Sequence, residues 1–142
     1  MDGVNEAPAS ANGSEVTAGT PGDRALLLVV ERDPHVKRLE QYFLTQAGFR
    51  VEFADDGRQG LERARIVRPR LVVTEIILPG LDGLRVCREL KADPATRGIA
   101  VLVFSILAAE GRALDAGADA FLKKPLDDAR MVETVTRLIQ TR

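Results

Sequence analysis

The stretch that decides the fold lies at residues 71–83 and reads LVVTEIILPGLDG. Its first three residues are apolar without polar alternation, which is typical of a strand buried on both faces of a parallel sheet. Glu75 follows at the end of this strand, before a loop that contains Pro79 and Gly80. Because open α/β sheets bind ligands beyond the carboxyl ends of their strands, Glu75 is the first candidate for a functional residue.

The composition of the chain is that of one soluble domain. Its 142 residues carry 20 basic and 21 acidic side chains, so we expect neither a nucleic-acid surface nor an acidic tail. Cys87 is the one cysteine, which excludes a disulfide within the chain, and with His35 as the one histidine a His/Cys zinc site is excluded too. No apolar run approaches the ~20 residues of a membrane span. With no recognisable signal peptide, the sequence predicts a cytoplasmic protein without membrane contact.

The sequence predicts a tail followed by a single domain. Residues 1–23 are rich in small and polar residues and lack apolar periodicity, which predicts a disordered N-terminal tail. Residues 24–142 form the domain, where five apolar strands alternate with five amphipathic helices. This alternation predicts a parallel sheet with helices on both faces, and five strands fit the flavodoxin-like order 2-1-3-4-5. The predicted strands lie at residues 25–30, 50–54, 71–75, 99–104 and 118–123.

Two helices carry specific predictions. The first should begin after the N-cap Asp33 and bury one face, made of Val36, Leu39, Phe43 and Ala47. The fourth is predicted over residues 107–116, and apolar residues stand at its opening, positions 106–109. These apolar residues either form a partner or dimer patch or pack inward because the helix is short. The sequence leaves both alternatives open.

Polar residues follow four strands that should end close together in this order. They are Glu31 and Arg32 after strand 1, Glu75 after strand 3, Ser105 after strand 4 and Lys124 after strand 5. An acid, a hydroxyl and a lysine at one rim suit a phosphoryl group. Any one of these residues alone could be a solvated strand end, but their occurrence at equivalent ends favours a site.

From about residue 25 to residue 142 the chain resembles the response-regulator receiver domains of two-component signalling. The resemblance rests on LVVERDP at 28–34, the stretch 71–83, ELKADP at 89–94 and AGADAFLKKP at 116–125. It implies a domain that accepts a phosphoryl group from a histidine kinase on an aspartate. It also implies Mg²⁺ held by an acidic pair, with a hydroxyl and a lysine that contact the phosphoryl oxygens.

Carried over position by position, the resemblance places Glu75 at the phospho-acceptor and Glu31 with Arg32 at the acidic pair. The backbone carbonyl of Ile77 would be a metal ligand. The switch hydroxyl, the switch aromatic and the phosphate-reading lysine correspond to Ser105, Phe121 and Lys124. The chain therefore has a glutamate in place of the acceptor aspartate and a cation in place of one acid.

Arg32 affects the binding of the Mg²⁺ that the resemblance implies. Glu31 and Glu75 could still supply two carboxylates to Mg²⁺, so they remain its candidate ligands. Arg32, however, places a permanent positive charge beside the same pocket. Either its guanidinium bridges the carboxylates in place of the metal, or it points to solvent and leaves the metal position vacant. We therefore predict no bound metal or other cofactor.

The replacement of aspartate by Glu75 affects whether this position can be phosphorylated. Glu75 exceeds aspartate by one carbon, ~1.5 Å of reach, and in-line phosphoryl transfer depends on positioning. One hypothesis is that Glu75 extends toward Lys124 and partly mimics a phosphorylated acceptor; the alternative is a plain structural salt bridge. Four other acids are poorer acceptors, because two cap helices and two lie after strand 2: Asp33, Asp82, Asp55 and Asp56.

These changes predict an atypical receiver that acts as a protein-interaction module and not as an enzyme. The alternative is a working phosphoreceiver that uses Glu75 or another acid. By resemblance, a histidine kinase or output protein would bind the face of helix 4, strand 5 and helix 5, which could also form a homodimer. A flavin protein is disfavoured, because ERDP at 31–34 is not a phosphate-binding loop, and a hydrolase lacks a nucleophile–base pair.

Overall fold

The computed structural model describes residues 24–141, and the tail predicted at residues 1–23 lies outside this range. Strands and helices alternate as predicted, with these bounds: β1 Leu26–Val30, α1 Pro34–Gln46, β2 Arg50–Ala54, α2 Gly57–Val67, β3 Leu71–Thr74, α3 Gly83–Ala92, β4 Ala100–Ser105, α4 Glu110–Asp115, β5 Ala120–Lys123 and α5 Asp128–Gln140. Asp33 caps α1 as predicted, since its side chain accepts hydrogen bonds from two backbone N–H groups of the first turn.

The five strands form one parallel sheet in the order β2-β1-β3-β4-β5, which confirms the predicted topology. Every residue of β3 is buried, as its apolar sequence indicates. One core cluster lies between the sheet and the helices α1 and α5, and the other between the sheet and α2, α3 and α4. The carboxyl ends of β1, β3, β4 and β5 therefore meet at one edge. No helix within residues 24–141 could span a bilayer.

The buried face of α1 differs from the prediction. Its fully buried residues are Glu40 and Leu44, whereas Val36, Leu39, Phe43 and Ala47 are half-buried. The prediction used apolar residues only, so it could not place Glu40, a charged residue, on the buried face. Within the described residues, neither side-chain oxygen of Glu40 has a hydrogen-bond partner.

Helix α4 lies where predicted but begins at Glu110 instead of residue 107. The backbone N–H of Ile106 donates to Glu75 Oε2, at 3.2 Å, and that of Leu107 donates to Ser105 Oγ, at 3.1 Å. These side-chain acceptors hold the segment as a loop instead of a first helical turn. Of its apolar side chains, Ile106 is 61% exposed and Ala109 is 4% exposed. The segment as a whole is therefore neither an exposed patch nor packed inward, the two alternatives that the sequence left open.

Candidate functional site

The strand ends bring four of the predicted site residues together. Glu31 directly follows β1, Glu75 directly follows β3, Ser105 ends β4 and Lys124 directly follows β5. Glu31, Glu75 and Ser105 are buried, at 3%, 5% and 0% exposure. Because parallel strands align these four positions, residues up to 93 apart in sequence share one pocket.

Both carboxylate oxygens of Glu75 are hydrogen-bonded. Oε1 accepts from the Ser105 hydroxyl and from the backbone N–H groups of Ile76, at 2.7 Å, and Ile77, at 3.3 Å. Oε2 accepts from the backbone N–H of Ile106, at 3.2 Å, and forms an ion pair with Lys124 Nζ at 2.9 Å. Burial by itself raises the pKa of Glu75, but the bonds from Ser105 and Lys124 outweigh it and hold that pKa below its ordinary value.

Lys124 joins two acids. Its Nζ lies 2.8 Å from Glu31 Oε1 and 2.9 Å from Glu75 Oε2, and 5.5 Å from the centre of the Phe104 ring. Burial alone lowers the pKa of Lys124, but its hydrogen bonds to the two carboxylates outweigh burial and raise that pKa above its ordinary value. The second oxygen of Glu31, Oε2, accepts from the backbone N–H of Asp33 at 3.1 Å. The ammonium therefore lies between two carboxyl groups, and its raised pKa favours the charged form.

Arg32 does not bridge the carboxylates. Its side chain is exposed, and within residues 24–141 no ion pair joins it to an acid. The cation that lies between Glu31 and Glu75 is the ammonium of Lys124 and not the guanidinium of Arg32. The physical reason is that Lys124 enters from β5 directly between the two acids, whereas the long side chain of Arg32 remains hydrated at the rim. The side chain of Arg32 therefore points to solvent, as one of the two alternatives had it.

The donor set fits a magnesium ion poorly. Within the described residues, no group of three or more acids, histidines or cysteines could hold a metal. Each of the two candidate acids, Glu31 and Glu75, already gives one oxygen to Lys124 Nζ. Mg²⁺ requires near-octahedral oxygen ligands, and an ammonium at hydrogen-bond distance from both carboxylates repels a second cation.

Phe121, the predicted switch aromatic, lies on β5 away from the carboxylates. It is half-buried against the core, and it lines a groove of about 800 Å³ between α4, β5 and α5. This groove also includes Ala108, Pro125 and Arg130. The face expected from the resemblance to bind partners is thus concave and partly apolar.

Two glycines bring backbone close to the site. A Cβ atom added at Gly83 would lie 1.9 Å from the backbone oxygen of Glu75, and one at Gly57 would lie 1.9 Å from the backbone oxygen of Leu81. Only glycine permits this approach of α2 and α3 to the loop that carries Glu75. The sequence analysis did not single out these glycines, although each directly follows an acid that caps its helix.

Glu40 is a further residue that the sequence analysis missed. Burial raises the pKa of Glu40 to about 8, and repulsion by Glu31 and Glu75 adds to the effect while Lys124 opposes it. A third carboxyl group therefore lies within electrostatic range of the site. A charged residue four positions before the buried Leu44 on a helix was the available signal.

Comparison with known proteins agrees with this architecture. The family model for the response regulator receiver domain matches residues 27–136. Response regulator PleD of Caulobacter vibrioides is 37% identical over 80% of this chain and 26% of its own length. The DNA-binding dual master transcriptional regulator RpaA of Synechocystis is 33% identical over 80% of this chain and 48% of its own length. The chain thus spans between a quarter and a half of these relatives.

Solved structures give the same result. The signal receiver domain of a signal transduction histidine kinase from Syntrophus aciditrophicus is 31% identical with a TM-score of 0.77, covering 82% of this chain and 91% of that one. The receiver domain of a sensor histidine kinase from Pseudomonas aeruginosa, solved with a magnesium ion in its active site cleft, is 28% identical with a TM-score of 0.77, covering 82% and 98%. With the matching family model and the sheet order, these findings show that this chain belongs to the response-regulator receiver domains of two-component signalling.

Proposed function

We propose that this receiver domain is a protein-interaction module of two-component signalling, without enzymatic activity. In this proposal phosphorylation does not switch the domain, because Glu75 itself binds the residues that would contact a phosphoryl group. The observation that carries the proposal is that both carboxylate oxygens of Glu75 have partners within the domain. The Ser105 hydroxyl and the Lys124 ammonium, the groups that would contact a phosphoryl group, bind the Glu75 carboxylate itself. The extra carbon of glutamate supplies the reach for both contacts.

The orientation of the switch residues supports the same proposal. Ser105 is fully buried and directs its hydroxyl to Glu75, while Phe121 is half-buried against the core. Of the two, only Ser105 contacts the Glu75 carboxylate, whereas Phe121 lines the groove between α4, β5 and α5. The backbone N–H of Ile106 also binds Glu75, so the loop after β4 is drawn toward the acceptor position without a phosphoryl group.

Phosphotransfer tests the proposal directly. With radiolabelled acetyl phosphate or a phosphorylated histidine kinase and Mg²⁺, the wild-type domain should take up no stable label. The double variant Arg32→Asp/Glu75→Asp should gain both label and Mg²⁺ affinity, because it restores two short acids at the rim. The control is Arg38→Asp/Glu75→Asp, which makes the same charge change at Arg38, an exposed arginine within α1.

The alternative function, a working phosphoreceiver, predicts a different result. Wild-type protein would then acquire label that Glu75→Gln abolishes, and this outcome would refute the interaction-module proposal. Label that persists in Glu75→Gln would place the acceptor on another acid. Release of the label by hydroxylamine identifies the adduct as an acyl phosphate in either case.

The partner surface in this proposal is the groove between α4, β5 and α5. Its concave, partly apolar lining suits a kinase, an output protein or a second copy of the domain. Sedimentation velocity of the wild type and of Ala108→Arg, which places a charge in the groove, tests the homodimer. If Ala108→Arg leaves a dimer intact, the dimer forms through another surface.

A further inference from the structure

Five arginines gather at the amino edge of the sheet, opposite the Glu75 site. We call this group the arginine edge; its members are Arg24, Arg50, Arg68, Arg70 and Arg97. Each lies before a strand or at its first residue, and parallel strands all begin at the same edge. All five side chains are exposed. The group is local, because the chain as a whole has a formal net charge of -1.

The strand register places these residues close together. The backbone N–H groups of Arg50 and Arg70 donate to Ala25 and Leu26, on either side of β1, at 3.0 and 2.9 Å. Adjacent strands lie ~4.8 Å apart, so Arg50 and Arg70 are separated by roughly 10 Å. Arg24 lies two residues before β1, the strand between β2 and β3, and its backbone carbonyl accepts from Arg50 Nε at 3.2 Å. The edge therefore concentrates positive charge within the span of a short peptide.

The guanidinium groups have few partners of their own. Within residues 24–141, none of the five arginines forms an ion pair with a carboxylate. Two acids near this end of the sheet are already engaged, because Asp93 lies 3.6 Å from Arg65 and Asp119 lies 3.0 Å from Lys91. Within residues 24–141, these two acids therefore form ion pairs with other cations and not with the arginines of the edge.

Helix ends explain only part of this arrangement. The helices run antiparallel to the strands, so their carboxyl ends, which attract cations, lie at the same edge. Arg70 illustrates this effect, since its Nη2 donates to the carbonyl of Ile139 in α5 at 3.0 Å. Each guanidinium has five N–H donors, however, and Arg50 and Arg70 each use one. The remaining donors face solvent.

We propose that the arginine edge binds an acidic segment of a partner protein, with paired N–H groups holding Asp or Glu carboxylates. Arginine suits planar, two-point recognition of this kind, because its guanidinium presents paired N–H donors to a carboxylate. A nucleic acid is disfavoured, because the chain lacks the net positive charge that draws a long polyanion.

Fluorescence anisotropy with a labelled peptide of eight glutamates tests this proposal on the full chain at low salt. Wild-type protein should bind the peptide, and Arg24→Glu/Arg97→Glu should weaken binding by at least about tenfold, because two attractive charges become repulsive. Neither of these side chains makes a hydrogen bond or ion pair within residues 24–141, so the fold should persist. The control Arg38→Glu/Arg88→Glu makes the same charge change at exposed arginines of α1 and α3 and should stay within about twofold of wild type.

Amide chemical shifts locate the contact. Addition of the peptide should move the resonances of Leu26, Arg50 and Leu71, at the strand starts, and leave Ile76 and Ile106 at the opposite edge unchanged. Equal loss of binding in the two double variants would overturn the proposal, as would tighter binding of a twelve-residue oligothymidylate at the same salt concentration.

An acidic segment of this same chain could also bind the arginine edge, so the experiment must distinguish it from a partner protein. Residues 1–23 contain Asp2, Glu6, Glu15 and Asp23 and no lysine or arginine. The full-chain variant Asp2→Asn/Glu6→Gln/Glu15→Gln should bind the peptide within about threefold of wild type. If peptide binding appears only in this variant, the chain's own acids occupy the edge, and the proposal of a partner protein fails.

Discussion

Lys124 Nζ lies 2.9 Å from Glu75 Oε2, and this buried ion pair joins the end of β5 to the end of β3. Its second bond, to Glu31, makes the same ammonium the counter-ion of two buried carboxylates. Removal of Lys124 would leave both acids without a cation in a site of low polarity. The stability of the domain should therefore depend on this lysine.

Lys124→Met is expected to lower the free energy of unfolding by about 3–5 kcal/mol, because it leaves two buried carboxylates uncompensated. Urea denaturation at pH 7 measures the loss. Lys123→Met is the matched control, since Lys123 is exposed and adjacent. Equal losses in the two variants would show that Lys124 contributes no more than a surface charge.

Ser105→Ala removes the hydroxyl that donates to Glu75 Oε1 and is expected to cost about 1.5–3 kcal/mol at pH 7. A depressed pKa of Glu75 stabilises the fold above the ordinary value of 4.5, and this stabilisation disappears as the pH falls through the folded-state pKa. The variant's deficit should therefore shrink in acid. Urea denaturation at pH 7 and pH 3.5 tests this, and Ser105→Thr, which keeps the hydroxyl, should recover most of the loss.

Glu40 predicts the opposite pH dependence. Its pKa is raised from 4.5 to about 8, so the folded state holds a proton that the unfolded chain releases, and stability falls as the pH rises from 4.5 through 8. Glu40→Gln should be progressively more stable than wild type over this range, by several kcal/mol at its upper end, since each pKa unit corresponds to about 1.4 kcal/mol.

Urea denaturation of wild type and Glu40→Gln at pH 5, 7 and 9 measures this difference. Glu62→Gln, at an exposed position of α2, is the control and should not alter the pH dependence. Parallel stability curves for wild type and Glu40→Gln would show that Glu40 is ionised in the folded protein.

Gly83→Ala should destabilise the domain by about 1–3 kcal/mol, because its Cβ would lie 1.9 Å from the Glu75 carbonyl oxygen and would displace the loop that carries the acid. Thermal unfolding gives the effect, and the amide shifts of Ile76 and Ile77 report the displacement. Gly98→Ala, where a Cβ would meet nothing within 4 Å, is the control. A Gly83→Ala variant as stable as Gly98→Ala would contradict the close approach.

The sequence predicted the sheet order because apolar strands and amphipathic helices alternate with short connections, and five such units fit the flavodoxin-like order. It also placed Glu31, Glu75, Ser105 and Lys124 in one pocket, since strand ends fix these positions. The position of Arg32 was predicted, but the direction of its side chain was not, because a long side chain in a loop has many rotamers. The start of α4 and the buried Glu40 depended on tertiary contacts that periodicity does not contain.

The shared ammonium of Lys124 has a consequence for proton uptake. Glu31 and Glu75 share this one counter-ion, so a change in the contact between Lys124 and Glu31 alters the charge that faces Glu75. A ligand that drew Glu31 away from Lys124 would change the protonation equilibrium at residue 75 without touching it. The loop after β1 is therefore electrostatically coupled to the loop after β3 through Lys124, which follows β5.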